Sequence, residues 1–300
     1  MAAQGTELFV NRIVRPDAAE ITWIGDAVLT AGFVVATWLW IRLRDTQIAL
    51  SDLERQQIVT ETQLTIAARV QTSLLPAIPE PMAGIRWCAT VEPAFKVGGD
   101  YYDFLPLPDG RMCVVLGDVS GKGIAAAVFL ANVRATLRAL AREASNPRTL
   151  VANLSSTLFA DSTSGFYLTC IVAFVDPNDR SMVYVNAGHP AGVLWNRRGG
   201  RGLRAGGPPA GLLRDAAFEE ERLTFGVGDL VVFVSDGITE ALDASGDGVV
   251  DVVSAQIALA RKLTPQGACA SLLAAARSGP GPHGVDDWMD DRTAVAFGVV

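Results

Sequence analysis

Residues 21–41 form an apolar segment of twenty-one residues in which Asp26 carries the only charge. As a helix, at about 1.5 Å per residue, the segment would be about 31 Å long, which matches the hydrocarbon thickness of a bilayer. Tryptophan side chains lie near both of its ends, where interfacial aromatic residues anchor membrane spans. The segment therefore predicts a single transmembrane helix after a tail of residues 1–20, and a helix buried against protein is the alternative.

The basic residues around this segment indicate its orientation. Arg12 and Arg15 precede it, whereas Arg42, Arg44 and Arg55 follow it. Because the positive-inside rule counts basic residues near the ends of a span, the larger C-terminal part is expected in the cytoplasm. We therefore expect a single-pass protein of the cell membrane with a cytoplasmic catalytic domain.

Residues 42–76 have the composition of a linker helix. The stretch 43–75 contains neither Gly nor Pro, and Pro76 ends it. Apolar residues recur at heptad spacing, which permits a coiled coil and a homodimer through residues 43–75. Gln57 and Gln71 occupy inward positions and would weaken such a dimer, and a helix packed on the next domain fits the pattern almost as well.

Charge and cysteine spacing exclude several classes of protein. The net charge of −7 and the absence of any Lys/Arg-rich run argue against a nucleic-acid-binding protein. The four cysteines are far apart and none forms a CxxC pair, so neither a zinc site nor a redox motif is predicted. Buried free thiols are expected instead.

Residues 77–300 alternate apolar stretches with Gly, Pro and Asp, which is typical of strands joined by turns. Pro108-Asp109-Gly110 and Pro177-Asn178-Asp179 each predict the turn of a hairpin. The predicted strands are 85–91, 101–107, 112–119, 168–176, 181–187, 230–235 and 292–300, and the predicted helices are 124–144, 148–159, 250–263 and 265–277. Hairpins interleaved with helix pairs indicate an α+β fold in which helices cover antiparallel sheets.

Four acidic motifs punctuate this region: GGDYYD, GDVSG, SDG and DDRT. Their leading aspartates, Asp100, Asp118, Asp236 and Asp290, stand beside Gly, Ser or Asp, three of them where a predicted strand begins or ends. Carboxylates at strand ends can converge on one centre, and their hard oxygens suit Mg²⁺ or Mn²⁺. Each motif alone is more often a simple turn, so the prediction of one acidic metal site depends on all four together.

The order GGDYYDFLPLPDG, VVLGDVSGKGIAAA, NAGHP, GDLVVFVSDGITEA and DDRTAVAF resembles the PPM-type metal-dependent serine/threonine phosphatases. The branch that it resembles most is that of the bacterial sporulation and stress-response phosphatases (SpoIIE/RsbU-like). The resemblance covers about residues 70–300. It implies an α-β-β-α sandwich, that is, two antiparallel sheets flanked by helices, which here follows a transmembrane helix and a linker helix.

The resemblance also implies roles for the site residues. Asp118 would bridge two Mn²⁺ or Mg²⁺ ions, and the Val119 carbonyl would complete the shell of one of them. Asp236 and Asp290 would hold the second ion, and Asp100 would act through water or a third ion. The ions would lower the pKa of a bridging water that attacks phosphorus, with Asp118 and Asp236 as the central catalytic residues.

Some positions depart from the family pattern or have weaker roles. No His follows Asp118 as a proton donor, and no Arg near the first motif clamps phosphate, so Lys96 is the candidate for that contact. Asp103 is expected to support the structure, and Asp291 to act behind the metal ligands or on substrate. His189 is predicted to be a loop histidine satisfied by backbone groups.

These expectations combine into a phosphatase that hydrolyses phosphoserine or phosphothreonine in a regulatory protein. The resemblance implies a partner from an anti-sigma-factor switch, namely a phosphorylated antagonist of the anti-sigma factor. The alternative is a non-catalytic, phosphatase-like scaffold that signals through its N-terminal helix.

Overall fold

The computed structural model describes residues 18–94, 97–121, 123–161, 165–204, 206–242, 248–279 and 290–299. Contacts divide the chain into two compact units, Met1–Thr62 and Gln63–Val300. One helix, α1 (Ala18–Leu74), contributes to both, and the described residues of the first unit all belong to it. The prediction that residues 21–41 are helical is confirmed, and so is that for 43–75 except for its last residue, because α1 ends at Leu74.

The first unit carries the apolar segment on its surface. Phe33 is 73% exposed and Trp40 is 60% exposed, and none of the most apolar window of α1 is buried. Helix α2 (Ile124–Ala141) is the second described helix that is long and apolar enough to cross a membrane, but its inner face packs into a core. Length and hydropathy alone therefore do not distinguish a span from a core helix.

The second unit alternates strands and helices. Its strands are β1 (Ile85–Glu92), β2 (Asp100–Pro106), β3 (Met112–Val119), β4 (Leu168–Asp176), β5 (Ser181–Ala187), β6 (Gly192–Asn196), β7 (Gly199–Leu203), β8 (Glu221–Thr224), β9 (Leu230–Val234) and β10 (Arg292–Val299). Its other helices are α3 (Pro147–Asp161), α4 (Asp236–Ala241), α5 (Gly248–Ala258) and α6 (Pro265–Ser278).

The strands form two five-stranded antiparallel sheets, in the orders β1-β10-β9-β6-β7 and β2-β3-β4-β5-β8. Apolar side chains of both sheets meet in a central core, where Phe297 lies 5.5 Å from Trp87 and 5.8 Å from Phe233 between ring centroids. Helices α2 and α3 cover the second sheet, and α5 and α6 cover the first. The α+β prediction of two antiparallel sheets with helices is confirmed.

Four short elements were not predicted. Strands β6, β7 and β8 have five or fewer residues, β7 reads GGRGL, and α4 has only six residues. Glycine disfavours strands, and segments this short carry little periodicity, so tertiary pairing decides their structure. The predicted helix 250–263 is wrong at its end, because α5 stops at Ala258 before a turn that leads into α6.

Candidate metal centre

The first two acidic motifs meet across the hairpin of β2 and β3. Asp100 and Asp118 are direct partners in its register, at the end far from the turn. The backbone N–H of Val119 donates to the Gly99 carbonyl at 3.2 Å, which extends the pairing into the loop before β2. The predicted ligands Asp100 and Asp118 therefore lie side by side.

Gly99 faces two of the predicted ligand atoms. A Cβ atom built on Gly99 would clash with the carboxylate oxygen Oδ1 of Asp118 and would lie 3.1 Å from the Val119 carbonyl oxygen. Both oxygens are therefore directed at the space above this glycine. A side chain at position 99 would fill that space.

The other two motifs are joined through Ser235, the last residue before α4. Its hydroxyl donates to the Asp291 carbonyl at 3.0 Å and accepts the N–H of Thr293 at 2.9 Å. Because Gly237 has no side chain, the loop before β10 can approach the start of α4. A Cβ atom at position 237 would lie 3.0 Å from the Asp290 carbonyl oxygen. Asp236 and Asp290 are thereby held next to each other.

The carboxylates of both pairs interact electrostatically. Burial, followed by the charges of Asp236, Asp290 and Asp291, raises the pKa of Asp118 to about 8. Burial and the charge of Asp290 raise the pKa of Asp236 to about 6. The pKa of Asp100 is raised well above its usual value by burial and by the charge of Asp118. The four aspartates therefore form one cluster in which negative charge is costly.

Such a cluster fits divalent cations. Asp100 is 6% exposed, and its Oδ2 atom has no hydrogen-bond partner among the residues that the structure describes. Cations would satisfy this buried oxygen and neutralise the mutual repulsion, and the all-oxygen donor set suits Mg²⁺ or Mn²⁺. Within the described ranges, no three acidic, His or Cys side chains already stand at ligand distances, so the geometry is that of a cluster rather than of a formed coordination shell.

Asp291 anchors the loop that precedes β2. Its Oδ1 accepts the N–H of Ala94 at 2.8 Å, and its Oδ2 accepts those of Gly99 at 2.6 Å and of Asp100 at 3.4 Å. Both carboxylate oxygens are thus engaged by backbone donors. This arrangement leaves Asp290 the better candidate for a metal ligand and places Asp291 behind the predicted ligands.

Asp103 lies away from the cluster, in a buried ion pair. It is fully buried and accepts two hydrogen bonds from the Arg138 guanidinium, at 2.7 and 2.8 Å. The Tyr101 hydroxyl donates a third at 2.5 Å. These bonds join β2, which carries Asp100, to helix α2.

The remaining candidates are Lys96 and His189. Lys96 lies outside the described residues. His189 is buried, and burial lowers its pKa to about 3, so it is neutral. Its Nδ1 atom pairs with the Thr169 hydroxyl at 2.9 Å rather than with the backbone groups alone that the sequence predicted. That hydroxyl donates to the Asp118 carbonyl at 3.4 Å, so His189 is linked through Thr169 to the strand that carries Asp118.

Gln71 was not predicted to contact the site. Within the second unit, its side-chain amide donates to the Gly98 carbonyl at 2.7 Å and accepts the Gly98 N–H at 3.0 Å. The heptad pattern predicts that Gln71 weakens a coiled coil, whereas in the structure its side chain holds the loop of the first motif. Its polarity within an apolar stripe was the only sequence signal for this role.

Comparisons with known proteins agree with this fold. The family model described as Stage II sporulation protein E (SpoIIE) matches residues 108–300. Phosphoserine phosphatase RsbU of Bacillus subtilis is 26% identical over 188 residues, which are 62% of this chain and 56% of RsbU. Protein IcfG of Synechocystis sp. is 25% identical over 211 residues, 61% of this chain and 33% of IcfG. This chain thus spans between a third and about half of the length of these relatives.

Solved structures show the same fold. The PP2C domain of SiaA from Pseudomonas aeruginosa superposes with a TM-score of 0.66 at 16% identity, covering 81% of this chain and 97% of that domain. The PP2C phosphatase domain of SpoIIE from Bacillus subtilis superposes with a TM-score of 0.62 at 18% identity, covering 74% of this chain and 64% of that one. At such identities the likeness concerns the architecture alone.

Proposed function

The chain belongs to the SpoIIE family of phosphatases, and from that membership we propose that it is a metal-dependent protein phosphatase that acts on phosphoserine or phosphothreonine. The observation that carries the proposal is the cluster of Asp100, Asp118, Asp236 and Asp290, in which burial and neighbouring carboxylates raise the pKa of the first three. A phosphomonoester dianion would be repelled by this cluster unless cations neutralised it.

Each element of the cluster has a proposed task. Asp118 and the Val119 carbonyl, both directed over Gly99, would hold the cations on the β2–β3 side. Asp236 and Asp290 would hold them on the opposite side, and Asp100 would orient water. When bound, two or three Mn²⁺ or Mg²⁺ ions would supply charge neutralisation and an acidified water for in-line attack on phosphorus.

The proposed substrate is a phosphorylated regulatory protein of an anti-sigma-factor switch. Its support is the likeness to RsbU, whose name is that of a phosphoserine phosphatase. The phosphoprotein that accumulates in cells carrying Asp236→Asn would identify it. Accumulation of a phosphoprotein unrelated to such a switch would contradict this part of the proposal and leave the activity itself standing.

The activity is tested with the full chain, a phosphoserine peptide and Mn²⁺ or Mg²⁺. We expect turnover that a chelator removes and either metal restores. Gly99→Ala should lower turnover about 10²-fold or more, because the added methyl displaces the Asp118 carboxylate from where the cations are held. The matched control is Gly248→Ala, where a Cβ meets nothing within 4 Å. Equal turnover of both variants would contradict the proposed site, and absence of turnover with either metal would favour the scaffold.

We also propose that residues 21–41 cross the membrane once and leave residues 77–300 in the cytoplasm as the phosphatase domain. In support, Arg42 and Arg44 stack on Trp38 and Trp40, at 5.4 and 5.5 Å from the ring centroids. Pairing of a cation with an aromatic ring is typical of an interfacial anchor.

The membrane proposal predicts that the full chain sediments with membranes, resists carbonate extraction and is released by detergent. Replacement of Leu29 and Val34 by Asp, each costing about 2.5–3.5 kcal/mol at mid-bilayer, should shift it to the soluble fraction. Replacement of the exposed Leu53 and Ile58 by Asp is the control. Release of the unchanged chain by carbonate would rule out a span.

A further inference from the structure

Two cysteines that lie far apart in sequence meet on the outer face of the first sheet. Cys88 is on β1, on the face opposite the core residue Trp87, and Cys269 is on α6. Helix α6 packs on both β1 and β10, and its Gln266 side chain donates to the Trp87 carbonyl at 3.1 Å. That bond, one turn before Cys269, sets the helix against the strand beside Cys88.

The two thiols belong to one apolar cluster on the outer face of the sheet and differ in access. Both are free. Cys269 is 1% exposed, and its Sγ atom lies 3.7 Å from the Ala294 carbonyl. Cys88 is only partly buried, so a small oxidant can reach it from solvent while Cys269 stays behind it.

The environment of Cys88 favours its thiolate. The Cys269 side chain, assisted by that of Thr90, lowers the pKa of Cys88 to about 7 despite burial. The Cys88 side chain and burial raise the pKa of Cys269 well above its usual value. The remaining thiols are fully buried, and burial raises the pKa of both Cys113 and Cys170, the latter to about 12. The chain therefore holds one reactive thiol, one partner thiol and two inert ones.

We propose that Cys88 and Cys269 are a peroxide-reactive thiol pair that closes to an intramolecular disulfide. The Cys88 thiolate attacks one oxygen of hydrogen peroxide, the O–O bond breaks, and hydroxide leaves to take up a proton. The Cys269 sulfur then attacks the oxidised sulfur, the S–O bond breaks, and the hydroxyl leaves with the Cys269 proton as water. Two thiols become one disulfide, and one peroxide is reduced to two waters.

The bond would join β1 to α6 behind β10, the strand that starts directly after Asp290 and Asp291. In the register of the sheet, Cys88 lies opposite Ala296, and Cys269 contacts the Ala294 carbonyl. The proposed disulfide therefore lies on the opposite side of β10 from the central core. It shares no residue with the acidic cluster.

The test treats the reduced full chain with hydrogen peroxide at pH 7, alkylates the remaining thiols, and maps the unreduced peptides by mass spectrometry. We expect the thiols to fall from four to two, with a Cys88–Cys269 cross-link that dithiothreitol reverses. Alkylation of Cys88 should be half-maximal near pH 7, in contrast to about 8.5 for an ordinary thiol.

Two variants separate the roles, and a third is the control. In the Cys88→Ser variant, Cys269 should stay reduced. In the Cys269→Ser variant, Cys88 should be alkylated more slowly at pH 7, and peroxide should oxidise it to the sulfinic acid. Cys113→Ala should leave the cross-link intact. Overturning results are a Cys88–Cys88 dimer as the main product, sulfinic acid at Cys88 with Cys269 still free in the unchanged chain, or no loss of thiols until the protein unfolds.

Discussion

Asp118→Asn is expected to abolish metal-dependent turnover, by about 10³-fold or more, while it raises the melting temperature of the metal-free protein. The loss of turnover follows because the carboxylate proposed to hold the cations is gone. The gain in stability follows because Asp118 is partly buried beside Asp236, Asp290 and Asp291, whose charges oppose its ionisation. Removing one charge should increase the free energy of unfolding by about 2 kcal/mol near pH 8, or roughly 4–8 °C.

The pH dependence of this gain has a definite sign. The pKa of Asp118 is about 8 in the fold against an ordinary value of 3.8, so the folded protein binds more protons than the unfolded chain between these values. Stability of the metal-free protein therefore falls as pH rises through this window, and the advantage of Asn should be absent near pH 4 and largest above pH 8. Calorimetry with a chelator checks the prediction.

The surface variant Asp251→Asn, on the exposed first turn of α5, serves as the control. It should change neither the turnover nor the response to metal. With Mn²⁺ added, the unchanged chain and the control should gain stability and Asp118→Asn should gain little. A metal-free Asp118→Asn protein that melts below the unchanged chain at pH 8 would contradict the repulsive cluster.

Arg138→Met is expected to be the most destabilising of these substitutions. It leaves the Asp103 carboxylate, which is fully buried, with the Tyr101 hydroxyl as its remaining side-chain donor. Breaking a buried pair from one side costs about 3–5 kcal/mol, and because the Arg138 side chain is 36% exposed, the lower end is expected. About 3 kcal/mol corresponds to a fall in melting temperature of roughly 6–12 °C.

A double variant separates the lost pair from lost packing. Adding Asp103→Asn to Arg138→Met removes the uncompensated charge, so it should restore a large part of the stability. Arg142→Met, an exposed arginine one turn further along, should change the melting temperature by no more than about 1 °C. If the double variant melts at or below the single variant, the cost comes from packing and not from the charge on Asp103.

Much of the fold could be predicted because local patterns were strong. The hairpin β4–β5 was predicted at both ends, since Pro177-Asn178-Asp179 is a strong turn signal between β-rich runs. Strands β7 and β8 were not, because neither GGRGL nor ERLT has an intrinsic preference for a strand. They are strands because β6 and β5 offer unpaired backbone groups at the sheet edges.

The sequence by itself determined the order of the longer strands and helices of the second unit and the four aspartates that punctuate it, because turn residues, periodicity and short motifs are local. Only the tertiary structure decided which side chains distant in sequence contact one another around those aspartates and in the packed helices. Asp291 reaches back to Gly99, Arg138 reaches Asp103, and helix α6 packs Cys269 on the face of β1 that carries Cys88. These pairs are separated by 35 to 192 residues, so sheet register and helix packing, which no local pattern encodes, bring them into contact.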